Sequence, residues 1–182
     1  MLPKIKILDE KNKLLKQKSK EVEFPLTSKD KKLINDSLKY LEMSQIKETS
    51  EKYNLRPGMG LAFPQLGILK RIFVICDEVD DGVFEYYCLI NPKIISHSEE
   101  LIYVEEGEGC LSVNREVEGI VPRYARCKIE AYDENGDLKT YRVREDLSVA
   151  FQHEIDHLNG ILFTDKIDKK NPYKNAEKMR AI

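Results

Sequence analysis

Several features are scarce in this chain of 182 residues, and each scarcity closes off a class of protein. Net charge is small: 30 Lys and Arg stand against 32 Asp and Glu, a balance of −2. No global basic field gathers nucleic acid, so no DNA partner is expected. No run approaches the ~18 consecutive apolar residues of a membrane span, and Met1-Leu2-Pro3-Lys4-Ile5-Lys6 lacks the apolar stretch of a signal peptide. The four cysteines, Cys76, Cys88, Cys110 and Cys127, form no C-x-x-C pair, which excludes a zinc ribbon. Their unpatterned spacing suits a reducing cytoplasm. Internal repeats and low-complexity segments are absent. This length suits one domain over residues 1–182 with a sizeable core. From about residue 169 the chain is a short polar tail in which no pattern establishes a helix. The lysine-rich stretch Lys11 to Lys20 reads as a solvated face, with a ribosomal RNA contact as the alternative.

Histidine is scarce too, and its distribution is informative. Of three histidines, two sit in Gln152-His153-Glu154-Ile155-Asp156-His157. Positions i and i+4 share one helix face, so His153 and His157 can grip one metal ion while Glu154 stands beside it as a general base. The bland alternative is two capped or solvated histidines. Against it, Leu147, Phe151, Ile155 and Leu158 keep helical spacing, with Val149 and Ala150 on other faces. A helix apolar nearly all round is buried. The predicted helix runs from Leu147 to Leu158 and stops at Asn159-Gly160.

A catalytic site of this kind takes three protein ligands and keeps one position open. Phe163 stands where one protease class has a third histidine. Glu177 lies in the polar tail and is a weak candidate. His97, in Ser96-His97-Ser98-Glu99-Glu100, reads as a surface loop. Cys76, Cys88 and Cys127 sit in or beside strand-like segments and read as small core residues. Cys110 differs, since Gly107 and Gly109 precede it and permit close backbone approach. Its thiolate can complete a Cys/His/His set.

The remaining pattern predicts strands with helices segregated from them, hence α+β. Thr27 or Ser28 caps a helix running toward Lys52, with Ile34, Leu38 and Leu41 inward. Gly58 to Gln65 reads as extended and edge-like, bracketed by Pro57 and Pro64. Strands are predicted at Ile72–Cys76 and Glu85–Ile90 around an acidic loop at Asp80-Asp81-Gly82. Asn91-Pro92 is expected to break the chain before a short strand at Ile94-Ile95. Arg126–Tyr132 and Leu138–Val143 form a hairpin around Asn135-Gly136.

Three motifs in order, Gly58-Met59-Gly60-Leu61-Ala62-Phe63-Pro64-Gln65, Glu108-Gly109-Cys110-Leu111-Ser112 and His153-Glu154-Ile155-Asp156-His157, resemble the signatures of bacterial peptide deformylases. The resemblance runs from about residue 5 to about residue 168. It implies antiparallel sheets around a central helix that carries H-E-x-x-H, and an enzyme that removes the N-formyl group from the initiating methionine of new proteins, releasing formate. The implied metal is Fe2+, with Zn2+, Ni2+ or Co2+ also suited to Cys110, His153 and His157. Glu154 would move the water's proton to the departing amine, while Gln65 and the backbone N–H of Leu111 would stabilise the oxyanion. By the same resemblance the Gly60 carbonyl bonds the substrate backbone, and Met59 and Val149 line a methionine pocket. The implied partners are formyl-methionyl nascent chains, with transient ribosome association, and a monomer is the simplest state. The long span between the first two motifs suggests the Gram-positive branch. Phe63 departs from the family's small residue and is expected to alter pocket shape. Asp156 is expected to pair with Arg123 and anchor the helix. The competing readings are an internal-bond metalloprotease and a catalytically idle protein with a structural metal.

Overall fold

The computed structural model describes residues 1–182. Its frame is a five-stranded antiparallel sheet in the order β1 (Gly60–Ala62), β2 (Ile72–Asp80), β3 (Val83–His97), β6 (Arg126–Tyr132), β7 (Leu138–Arg144). A second sheet joins β5 (Arg123–Tyr124), β4 (Leu101–Tyr103) and β8 (Arg180–Ala181). The expected α+β class and antiparallel sheets are present, but β4 and β8 pair in parallel.

Strand β2 explains how the layers form. Residues 72–76 are all fully buried because both sheet faces are covered. Period-two alternation sends Phe73 and Ile75 to one core with Phe151, Ile155 and Leu158 of helix α3 (Glu145–Leu158). Ile72, Val74 and Cys76 enter a second core with Ile34 and Leu41 of helix α1 (Ser28–Gln45). Ten of the fourteen residues of α3 are buried, as expected, but six of the ten are polar or charged, so it is buried by more than its apolar stripe.

Several boundaries differ from expectation. Thr27 does cap α1, its Oγ1 accepting from the Asp30 N–H at 3.1 Å. The helix ends at Gln45, however, and restarts as α2 (Lys47–Tyr53) after an extended Ile46. The Gln45 amide donates to the carbonyls of Gly58 and Cys76, 3.1 and 2.8 Å away, tying the helix end to the sheet. Gly58 to Gln65 is extended only to Ala62, and Phe63–Leu66 turn as a 3-10 helix. Strand β3 does not break at Asn91-Pro92. Asn91 takes a left-handed φ of 52° inside a bulge, where the missing Pro92 N–H disrupts no ladder bond. The Asn91 side chain instead bonds both backbone groups of Val22, at 2.8 and 2.9 Å.

The Lys11–Lys20 stretch does expose its lysines, yet Leu15 and Ser19 are buried anchors and Lys13–Lys16 form a 3-10 turn. His97 ends β3 rather than lying in a loop, stacking on the half-buried Tyr124 with ring centroids 3.6 Å apart. The polar tail ends in a strand, Arg180–Ala181, that no pattern in the sequence had indicated. Cys76 and Cys127 are core residues as expected, while Cys88 is half-buried against the α1-side core.

Candidate metal centre and active site

Helix α3 carries His153, Glu154 and His157 into the interior, and the loop between β4 and β5 brings Cys110 to them. The Cys110 Sγ lies 3.3 Å from His157 Nε2, and the three candidate ligand atoms lie within 4.8 Å of one another. No other His, Cys, Asp or Glu joins that group, so His97 and Glu177 are excluded as third ligands. A thiolate and two imidazoles, with no fourth protein donor, fit a divalent metal of borderline softness and leave it an open position.

The ligands are held from behind. His153 Nδ1 lies 2.8 Å from Glu108 Oε2, which leaves Nε2 for the metal. Arg123 grips Glu108 twice, at 2.7 and 2.9 Å, and reaches Asp156 at 2.5 Å; Lys166 adds a 2.9 Å contact to Asp156. The expected Arg123–Asp156 pair is therefore present. The carboxylate that orients His153 is Glu108, which lies inside the second motif but has no role in the sequence reading. Its signal was a carboxylate two residues before a ligating cysteine, but no linear spacing says which histidine such a carboxylate meets. Arg56, also unforeseen, ties down the cysteine loop by donating to the carbonyls of Cys110 and Val113, at 2.5 and 2.8 Å.

Burial and charge set the proton affinities. Burial would raise Glu108, but Arg123 and His153 hold it down at about 2. Burial pushes Glu154 up to about 7, against the pull of His153 and Arg123. Its Oε2 is buried with no hydrogen-bond partner. Burial disfavours charge on both histidines. Cys110 and Glu108 nevertheless raise His153 to about 10, whereas His157, facing the charge on His153, falls well below its ordinary value. Ligation requires neutral rings, so an ion held by these two histidines would be bound with release of protons.

A cavity of about 450 Å³ opens over this centre. Met59, Gly60, Gln65, Cys110, Leu111, Val149, His153 and Glu154 line it, so eight of the nine residues singled out in the sequence meet at one place. The ninth, His157, lies behind Cys110 and is 1% exposed. Gln65 accepts from the Ala62 N–H through Oε1 at 2.8 Å, which turns its Nε2 toward Ser112 Oγ and Cys110 Sγ at 3.1 and 3.6 Å. The Leu111 N–H donates to no protein acceptor. Gly60 is required sterically, since a Cβ there would stand 2.4 Å from Glu154 Oε1. Phe63 does not shape this cavity. It is fully buried in the α1-side core, so the expected effect on pocket shape is corrected to one on the opposite face of the sheet.

An α+β frame that brings a cysteine thiolate onto an H-E-x-x-H helix beneath an open cavity defines a metal-dependent hydrolase. Comparison with known proteins narrows the class. Residues 4–173 match the polypeptide deformylase family. A peptide deformylase of Oceanobacillus iheyensis is 49% identical over 161 residues, covering 88% of each chain. Peptide deformylase 2 of Bacillus subtilis is 45% identical over 168 residues, or 92% of this chain and 91% of that one. Among solved structures, the Met-Ala-Ser-bound class I type b peptide deformylase of Acinetobacter baumannii superposes with a TM-score of 0.72. It is 28% identical, covering 92% of this chain and all of that one. The chain belongs to the polypeptide deformylase family, and its sequence relatives agree with the Gram-positive-like branch.

Proposed function

We propose that this protein removes the N-formyl group from the N-terminal methionine of newly made proteins, releasing formate and a free amine. Membership of the family supports the reaction, and one observation carries its assignment to residues: the buried, unpartnered Glu154 carboxylate beside three convergent metal ligands. Cys110, His153 and His157 would hold the ion, Fe2+ being the proposed native metal and Zn2+, Ni2+ or Co2+ substitutes. When bound, such an ion supplies Lewis acidity that brings the acidity of a water close to neutrality.

Glu154 accepts the proton of the attacking water as oxygen adds to the formyl carbon, then delivers it to the amine nitrogen as the C–N bond breaks. Its proton affinity near neutrality suits both transfers. Charge that develops on the formyl oxygen is met by Gln65 Nε2 and the free Leu111 N–H, and loss of one such donor costs about 10²–10³ in rate. Strand β1 lies at the sheet edge, so an extended substrate can add beside it and bond the Gly60 carbonyl. Met59 and Val149 receive the methionine side chain.

The same reading takes residues 1–182 as one deformylase domain, acting as a cytoplasmic monomer with transient ribosome association. No helix is long and apolar enough to cross a membrane. The test is formate release from formyl-Met-Ala by iron(II)- or nickel-loaded protein prepared without oxygen, beside Glu154→Ala and Cys110→Ala. Release by wild type that disappears in both variants supports the assignment. A folded, metal-loaded wild type that releases no formate overturns it.

A further inference from the structure

Strand β8 lies beyond the residues that match the family, and the chemistry above makes no use of it. It is nonetheless joined to the substrate cavity at two points. The first is Val104, which lines the cavity just after β4. β4 is only three residues long, and its other neighbour, β5, has two; such a pair is marginal alone. β8 completes the sheet. The Ile182 N–H donates to the Tyr103 carbonyl and the Glu105 N–H to the Ile182 carbonyl, each at 3.0 Å, bracketing Val104. The Ile182 and Val104 side chains each pack against the buried cluster of Ile102, Ala125 and Val149.

The second point is the start of α3. Arg180 holds Glu145 through two 2.8 Å bonds and Glu100 through one of 2.9 Å. Glu145 opens α3 in a left-handed conformation, φ 53°, that a non-glycine residue adopts only when its surroundings enforce it. One helical turn later comes Val149, the other apolar wall. A single exposed ion pair contributes little, but a two-armed guanidinium on two carboxylates fixes orientation.

We propose that Arg180 and Ile182 are positioning residues that clasp the Val104 and Val149 walls at one separation and so set the width of the methionyl pocket. The proposal rests on the reading that this cavity receives the methionine side chain. It is tested on the nickel-loaded full chain with the double variant Arg180→Ala/Ile182→Pro, which removes the guanidinium and the N–H donor, beside Arg180→Lys and Ile182→Leu. The double variant should raise KM for formyl-Met-Ala-Ser by about tenfold, with kcat and metal content hardly changed. Preference for formyl-Met over formyl-Phe should narrow, and the two conservative variants should stay near wild type. Calorimetric affinity for the peptide Met-Ala-Ser should fall in parallel. Unchanged KM, affinity and preference in the double variant overturn the clasp. So does an equal fall in kcat on both substrates together with metal loss, which would make β8 a support for α3 alone. If wild type releases no formate but binds Met-Ala-Ser, and the double variant binds it more weakly, the deformylase reading fails while the clasp stands.

Discussion

The two faces of the central sheet bury similar numbers of apolar side chains yet solve different problems. On the α1 face a ten-residue apolar cluster dominates, the buried Ser37 and Ser44 of α1 satisfy themselves on their own helix, and Phe63 is absorbed there outside the cavity. On the α3 face the apolar cluster gives way to a buried row of charge, His153, Glu108, Arg123 and Asp156, that ends at the exposed Lys166. Beside it stands the unpartnered Glu154. The first face is a packing problem, tolerant of substitutions that keep volume. The second is a network in which every member depends on the next, and where stability is given up for a reactive carboxylate.

The largest expected effect separates those two economies within one residue. Glu154→Ala should lower kcat/KM by about 10³ through loss of proton transfer. It should also raise the unfolding midpoint, because a buried carboxylate without a partner is removed; calorimetry beside formate release checks both. Next, Arg123→Met should cost about 3–5 kcal/mol by removing the one cation shared by Glu108 and Asp156, leaving Glu108 to His153 and Asp156 to Lys166 alone. Phe63→Ala should cost a similar ~3–5 kcal/mol by cavity formation. Urea unfolding gives both values, and the comparison is sharpened by function: the Arg123 variant should bind metal more weakly, whereas the Phe63 variant should keep its metal affinity. Equal metal loss in both would erase the distinction between the faces.

Smaller but more local is Gly60→Ala. A Cβ that meets Glu154 Oε1 must displace the carboxylate, and a displacement near 1 Å costs about 10² in rate. The same Cβ would meet Ile75 Cδ1 at 2.8 Å, so steady-state kinetics beside urea unfolding separates the loss of rate from a loss of stability. The smallest effect concerns pH. Glu108 is held at about 2 in the folded chain against an ordinary 4.5, so it binds a proton less readily folded than unfolded. Its stabilising contribution is then complete above about 4.5 and is lost as pH falls from there toward 2. Glu108→Gln should flatten that part of the stability profile, and a profile identical to wild type would show the charge row contributes nothing there.

Much of the site was legible in linear order because its chemistry is set by residue type and short spacing. His153 and His157 share a face through the helical period, and Cys110 was the cysteine outside an apolar strand. Glu108 was not legible, since forty-five positions separate it from His153 and only folding brings them to 2.8 Å. Asn91-Pro92 looked like a break because a strand has no place for that pair, until a bulge provides one. The strand in the polar tail was not legible because so few residues carry no periodicity, and β8 exists only through β4.

By itself, then, the sequence determined the α+β class, the buried helix, the candidate metal-ligand set and the family, all of which rest on local pattern and side-chain chemistry. Tertiary structure alone decided which carboxylate orients His153, which face takes Phe63, and what the tail pairs with. Those depend on contacts between distant segments, where residue type permits many partners and packing selects one.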